Sequence, residues 1–307
     1  MPSKSFLFLS WNGAGRQMGV TELIKELRAE KGAAEIDADR FNERLRVIRY
    51  DGQITALIPA VLAEAKQEGA QKVIFFAKRG DEPEFVKHLF IVEGVIDGYY
   101  NGHEAVVMVR YLAEERRRSD SYVSEDSTVD RLYETPRRGL TQAESALMFR
   151  KADEDDADRL SHLYKHVFLT YPTPVFNPLY IKKTMRENTI YYAAFDQDRL
   201  IGAASADINP VLGHAEMTDC AVLSEYRGNS VTAHLFKALE QELAGREIIH
   251  LFSLARAASY GMNAVLYHAG YGYRGRLVNN CRISEGLENM NIWCKTLRLA
   301  IHKEEFV

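Results

Sequence analysis

Glu216-Met217-Thr218-Asp219-Cys220-Ala221-Val222-Leu223-Ser224-Glu225-Tyr226-Arg227-Gly228-Asn229-Ser230-Val231-Thr232 reads as a strand, a tight loop and the start of a helix. A loop of small residues that opens a helix leaves backbone N–H groups without intrahelical acceptors, and those donors, together with the positive end of the helix dipole, suit a pyrophosphate. Arg227 adds a cation. An ordinary strand-to-helix turn looks the same, so the stretch has to be judged by what surrounds it.

Working outward, residues 215–223 form a central strand, 231–243 a helix, 248–255 a strand, 260–269 a second helix, and 276–283 and 287–295 two closing strands. Before the quoted stretch, 153–167 reads as a helix and 190–195 with 200–207 as a hairpin. The first half of the chain follows the same order. Residues 44–50 read as a strand, 55–68 as a helix with Ile58, Val61, Leu62 and Ala65 on one face, 72–77 as a buried strand and 83–89 as a short helix. Strands at 94–99 and 105–111 then turn at Asn101-Gly102. The repeated order predicts an α/β (layered α+β) fold used twice, in tandem. Between the halves the apolar period disappears and both charge signs mix, so 113–146 reads as a solvated, charged linker between domains at 1–112 and 147–307.

The chain's 307 residues accommodate two domains, and 46% apolar with 27% charged residues is the composition of a folded globular protein. A formal net charge of -4 argues against nucleic acid as partner. The run Phe6-Leu7-Phe8-Leu9 falls far short of the ~20 apolar residues of a membrane span. Cys220, Cys281 and Cys294 are too few and too scattered for a disulfide framework or a zinc site. A cytoplasmic protein without a metal is the expectation. Gly13-Ala14-Gly15-Arg16-Gln17-Met18-Gly19 superficially matches a dinucleotide fingerprint, but its spacing and continuation argue against one.

With Tyr226-Arg227-Gly228 in place, the chain resembles the GNAT N-acetyltransferase superfamily, whose coenzyme-A loop is Arg/Gln-x-x-Gly-x-Gly/Ala after the fourth strand. Ser230 and Thr232 replace small residues of that pattern. The resemblance implies a GNAT fold in the second half, a degenerate GNAT-like first half, and acetyl-CoA as co-substrate. It assigns coenzyme contacts to Cys220, Ala221, Val222, Arg227, Gly228, Asn229, Ser230, Val231 and Thr232. The segment Asn263-Ala264-Val265-Leu266-Tyr267-His268-Ala269-Gly270-Tyr271 is similar to the superfamily's next helix, which implies that Asn263 reaches coenzyme A and Tyr267 protonates the departing thiolate.

Amine acetylation makes further demands. An alkylammonium with a pKa of ~10.4 must lose a proton before it can attack a thioester, and a carboxylate can take it. Glu216 is the first candidate base and Asp219 the second; on a regular strand they point to opposite faces unless a bulge intervenes. From about Asp37 onward the chain also resembles the β-lysine N-acetyltransferases, through Phe41-Asn42-Glu43-Arg44-Leu45, Gly98-Tyr99-Tyr100-Asn101-Gly102, Val167-Phe168-Leu169-Thr170-Tyr171-Pro172 and Leu277-Val278-Asn279-Asn280. That resemblance implies acetylation of the distal amine of β-lysine, giving a neutralised compatible solute. Tyr171, Asn279, Asn280 and Arg282 are the expected substrate-end residues, because amide and cation donors suit a carboxylate. Another small amine, a protein acceptor, and a catalytically silent acetyl-CoA sensor remain as alternatives.

Overall fold

The computed structural model describes residues 7–8, 21–22, 24–140, 147–283 and 286–298. The glycine-rich stretch at 13–19 lies outside them. Strands β1 (Leu7–Phe8) and β2 (Thr21–Glu22) form a separate ribbon. The first half continues with β3 (Ile24–Ala29), β4 (Gly32–Asp39), β5 (Arg44–Gly52), α1 (Ile54–Gln67), β6 (Lys72–Lys78), α2 (Glu82–Lys87), β7 (Ile91–Tyr100) and β8 (His103–Tyr111). A short 3-10 turn (Glu114–Arg117) and α3 (Tyr122–Tyr133) follow. The second half comprises β9 (Leu147–Lys151), α4 (Ala157–Val167), α5 (Pro178–Glu187), β10 (Thr189–Asp196), β11 (Arg199–Asn209), β12 (His214–Val222), α6 (Val231–Gly245), β13 (His250–Arg256), α7 (Tyr260–His268), β14 (Gly272–Ile283) and β15 (Gly286–Thr296).

Strands β3 to β15 make one 13-stranded sheet in the order β3-β4-β5-β6-β8-β7-β14-β15-β13-β12-β11-β10-β9. The order of the first half's strands recurs in the second, which adds β9 at its edge, and in each half one pair is parallel: β5 with β6, and β12 with β13. The expected tandem order is therefore present in the topology. The halves join where β7 meets β14 at Gly94 opposite Gly275. A side chain has no room there, since a Cβ on Gly275 would stand 2.3 Å from the Glu93 carbonyl oxygen and one on Gly94 2.7 Å from that of Arg274.

The junction has approximate twofold symmetry. His214, first in β12, bonds through Nδ1 to the Tyr99 carbonyl at 2.7 Å, and Arg44, first in β5, donates to the Asn280 carbonyl at 3.1 Å. The sheet curls over a core shared by both halves, including Ile74, Phe76, Tyr99, Phe252, Leu277 and Ile292. Separate cores lie under α1 in the first half and around α4, α6 and α7 in the second.

The solvated linker expected at 113–146 is corrected by the structure. Arg116 is buried and donates to the carbonyls of Asn279 and Asn42, both at 2.7 Å, while buried Glu125 accepts from Asn289 at 2.6 Å. Arg116 and Glu125 are thus buried hydrogen-bonding groups along the seam, while Glu114, Glu115, Arg117 and Arg118 stay exposed as expected of a charged connector. Helix α5 was not anticipated either; it starts at Asn177-Pro178, with the Asn177 side chain accepting from the Leu179 N–H at 3.0 Å.

Candidate active site

Two irregularities in β12 create the site. On one edge, β12 pairs with β13 only from His214↔His250 to Glu216↔Phe252, although β12 runs on to Val222 and β13 to Arg256. The strands part there, with the Ser253 hydroxyl donating to the Met217 carbonyl at 2.7 Å where they separate. The later backbone of β12, including Ala221 and Val222, thus has an edge without a β13 partner. On the other edge, the register against β11 shifts between Ala203↔Ala221 and Ser205↔Thr218, a bulge that places Asp219 at φ 50.

The bulge decides where the carboxylates face. Asp219 accepts from the Ser205 hydroxyl at 2.8 Å, and Ser205 lies opposite Thr218. Thr218 and Glu216 share a face by the two-residue period, so the extra residue turns Asp219 toward the side that Glu216 occupies. Burial raises the Asp219 pKa, and hydrogen bonds from Ser205, Tyr171 and Thr218 oppose that rise. Tyr171, which hydrogen-bonds to Asp219, also stacks on Phe168 with ring centroids 4.5 Å apart.

Glu216 is half-buried, and its carboxyl is pushed up to about 7, first by burial. Arg46 lowers it, and Asp207 and Asp219 raise it. Asp207 stands directly across from Glu216 on β11. Solvent reaches Asp207, yet the protein crowded around it pushes its carboxyl up to about 6, with Asp219 adding to the rise. Three carboxylates therefore crowd the cleft where β12 opens, and their mutual repulsion favours a cation among them.

The loop after β12 is held from below. The Leu223 N–H donates to the Ile201 carbonyl at 2.9 Å, the Tyr226 hydroxyl to Asp196 at 2.6 Å, and Arg199 to Glu225 at 2.7 Å. Arg227, Gly228 and Asn229 are exposed, and α6 begins at Val231, so its first-turn N–H groups face the loop. Ser230 sits at φ 58, a left-handed conformation in which glycine is unstrained. The backbone has thus kept the shape of a glycine loop although its sequence has changed. Gly228, at φ 88, has open space where a Cβ would go. Burial pushes the Cys220 thiol up, which makes it a packing group rather than a nucleophile.

Five expected residues have partners within the protein. Asn263 is fully buried; its amide donates to the carbonyls of Arg256 (2.9 Å) and Ser259 (2.8 Å), and its oxygen accepts from Asn291 (2.9 Å) and Trp293 (2.8 Å). That uses its hydrogen-bonding capacity inside the fold. The Tyr267 hydroxyl donates to the Thr135 carbonyl at 2.8 Å, so α7 uses it to hold the connector. Asn279 donates to the carbonyls of Arg116 (3.0 Å) and Arg118 (2.6 Å), the Asn280 carbonyl accepts from Arg44, and Arg282 pairs with Glu43. Asn279 thus holds the connector, and the Asn280 carbonyl and Arg282 hold the first half. On β14, the Asn279 and Arg282 side chains are thus engaged by the connector and the first half, while the Asn280 side-chain oxygen is buried without a hydrogen-bond partner among the described residues.

Sequence reasoning missed Asp207, Ser205 and, from the first half, Arg46 and Tyr99. Asp207 has a signal in hindsight, because it falls opposite Glu216 once the hairpin register is drawn. Arg46 has none, since only the curl of the sheet brings β5 to β12.

A parting parallel strand pair, a bulged central strand and a loop that opens a helix define an acyl-coenzyme-A-type transferase fold, and the comparisons agree. Residues 157–273 match the acetyltransferase (GNAT) family. The chain is 57% identical over 275 residues to the N-acetyltransferase YodP of Bacillus subtilis, covering 90% of this chain and 100% of that protein. It is 31% identical over 271 residues to the β-lysine N(6)-acetyltransferase of Methanosarcina mazei, covering 81% and 99% of the two chains. It is 31% identical over 262 residues to that of Methanococcus maripaludis, covering 85% and 95%. A solved ribosomal L7/L12 α-N-protein acetyltransferase in complex with coenzyme A aligns with a TM-score of 0.44 at 18% identity, over 52% of this chain and 98% of that one. This chain belongs to the GNAT acetyltransferase family and is an N-acetyltransferase.

No helix among the described residues is long and apolar enough to cross a membrane.

Proposed function

We propose that the enzyme transfers the acetyl group of acetyl-CoA to the distal amine of β-lysine, giving N6-acetyl-β-lysine by direct attack on the thioester. The observation that carries the reading is Glu216, a carboxyl with a pKa of about 7 among further carboxylates beside the opening of β12. A base poised near 7 is half ionised at neutral pH and strong enough to accept a proton from an ammonium as bonding to the thioester begins.

The coenzyme's pyrophosphate is held by Arg227 and the N–H groups of Gly228 to Thr232, and its thioester arm runs into the gap between β12 and β13 along Cys220, Ala221 and Val222. Asp207 and Asp219 attract the acceptor's ammonium, and Glu216 removes one proton from it. The freed nitrogen attacks the thioester carbonyl. N–H groups on the open edge of β12 face the oxyanion that forms; collapse of the intermediate breaks the C–S bond, and the excess proton on the attacking nitrogen passes to the departing sulfur, giving the neutral amide and the coenzyme as its thiol. The named activity of the two archaeal relatives supports β-lysine as acceptor. Tyr171, beside Asp219, lines the acceptor side of the gap.

The test is an acceptor panel read by thiol release, with the acetyl group located by mass spectrometry. β-Lysine is expected to be used in preference to α-lysine and acetylated at the distal nitrogen. Equal use of the two isomers, or acetylation at the proximal nitrogen, removes this acceptor.

A further inference from the structure

The first half contains a charged pair that no step above uses. In β5 the register begins at Arg44↔Lys72, and in β12 at His214↔His250. Two residues on, Arg46 and Glu216 therefore occupy equivalent positions in the two halves. Across the neighbouring antiparallel strand, Asp37 faces Arg46 as Asp207 faces Glu216. Tyr99 connects the two places: its hydroxyl donates to the Ile48 carbonyl of β5 at 3.1 Å, and its ring stacks on His214 of β12 with centroids 4.3 Å apart. Arg46 lies two residues from Ile48 and Glu216 two from His214, and the two are near enough for the Arg46 charge to act on the Glu216 carboxyl.

The pair is incomplete as built. Nε and Nη2 of Arg46 both bond to Oδ2 of Asp37, the former at 2.8 Å, leaving the Nη1 side of a guanidinium whose side chain is 30% exposed. Asp37 is 4% exposed, and its Oδ1 is buried without a hydrogen-bond partner among the described residues. A buried carboxylate oxygen left unpaired is costly and calls for a donor. An amino acid head group supplies both missing partners, a carboxylate for the guanidinium fork and an ammonium for the orphaned oxygen.

We propose that Arg46 and Asp37 form the head-group subsite for the acceptor, so that the first half reads its carboxylate and proximal ammonium while the second half acetylates its distal amine. This rests on the reading of the cleft as an amine acetylation site. It extends that reading to the substrate class, an aliphatic diamino acid held across both halves. Glu216, Asp207 and Asp219 suit the distal ammonium, and Arg46 is the cation placed to discriminate a diamino acid from a simple diamine.

The experiment compares β-lysine with 1,4-diaminopentane, the same skeleton without its carboxylate, at saturating acetyl-CoA. Arg46→Gln is expected to raise KM for β-lysine by about 10–100-fold, as loss of a charge-assisted hydrogen bond does, while the fall in kcat from a Glu216 carboxyl raised further is shared by both substrates. KM for the diamine should not rise, and Arg46→Lys should recover part of the β-lysine affinity. Arg49→Gln, which removes only an exposed pair with Glu35, is the control for altered surface charge. Unchanged KM for acetyl-CoA in Arg46→Gln establishes that the variant is folded.

Wild-type use of the diamine as readily as β-lysine, or an equal rise of both KM values in Arg46→Gln, overturns the subsite. If α-lysine proves to be the acceptor, the same comparison is run against cadaverine. Carboxylate selectivity lost with Arg46 then retains the subsite and removes only β-lysine. If no carboxylate-bearing amine is acetylated, both readings fall.

Discussion

The two halves repeat one strand order yet treat the gap beside their central strand in opposite ways. In the second half β12 leaves β13 after Glu216↔Phe252 and the opening remains. In the first, β5 leaves β6 after Val47↔Phe75, but the Tyr50 hydroxyl donates to Asp81 at 2.5 Å and accepts from the Lys78 N–H at 2.9 Å across the gap. Phe75, Phe85 and Phe90 pack edge to face nearby, with centroids 4.9 to 5.5 Å apart. The loop differs too. Before α1 stands Asp51-Gly52-Gln53 in place of Arg227-Gly228, and the Gln53 N–H is taken by the Lys31 carbonyl at 2.8 Å. A donor that in the second half would face solvent is here spent within the protein. Finally Arg46 stands where Glu216 does. The first half thus differs from the second in a bridged strand gap, a different loop before its helix and an arginine at the position of Glu216. We propose on these grounds that the first half is a degenerate copy kept for shape and for reading the acceptor.

The largest effect expected from testing this contrast is at Glu216. Glu216→Gln should lower kcat/KM at pH 7 by about 10²–10⁴-fold, the range for a general base. The sign with pH follows from the raised carboxyl. Below about 7 Glu216 is protonated and cannot accept a proton, so wild-type activity climbs with pH and levels off above that value. The variant should instead keep rising by about tenfold per unit toward the acceptor's own pKa of ~10.4. A wild-type-like profile in the variant would move the base role to Asp219 or Asp207.

A smaller effect is expected in the loop. Arg227→Ala should raise KM for acetyl-CoA by about tenfold through loss of one charge-assisted contact to phosphate, leaving KM for the amine unchanged. An unchanged coenzyme KM would mean that backbone donors alone hold the pyrophosphate. The smallest effect is at Tyr267, whose hydroxyl is bonded to Thr135. Tyr267→Phe should cost about 1 kcal/mol, a fall of roughly 2–4 °C in Tm, with turnover within a few-fold of wild type. A large fall in kcat with normal stability would return Tyr267 to the catalytic group.

Local periodicity and the Tyr226-Arg227-Gly228 loop made the strand and helix order readable, because those signals depend on near neighbours. What could not be read depends on contacts remote in sequence. The bulge that turns Asp219 toward Glu216's face shows only in the pairing with β11. Asn263 and Tyr267 have family-like neighbours in sequence, yet Asn263 is saturated by Asn291 and Trp293, and Tyr267 is held by a connector that itself looked unstructured. Arg46 and Tyr99 enter the cleft only through the curl of the sheet. Elements set by near neighbours were legible; contacts shared between the halves were not.

The most direct test of the central claim is an experimental structure of the full chain with coenzyme A. The account predicts one coenzyme per chain, its pyrophosphate on residues 227–232 and its thiol arm in the gap between β12 and β13, with Tyr50 still closing the gap between β5 and β6. A coenzyme bound between β5 and β6, or one whose thiol lies away from Glu216, would contradict it.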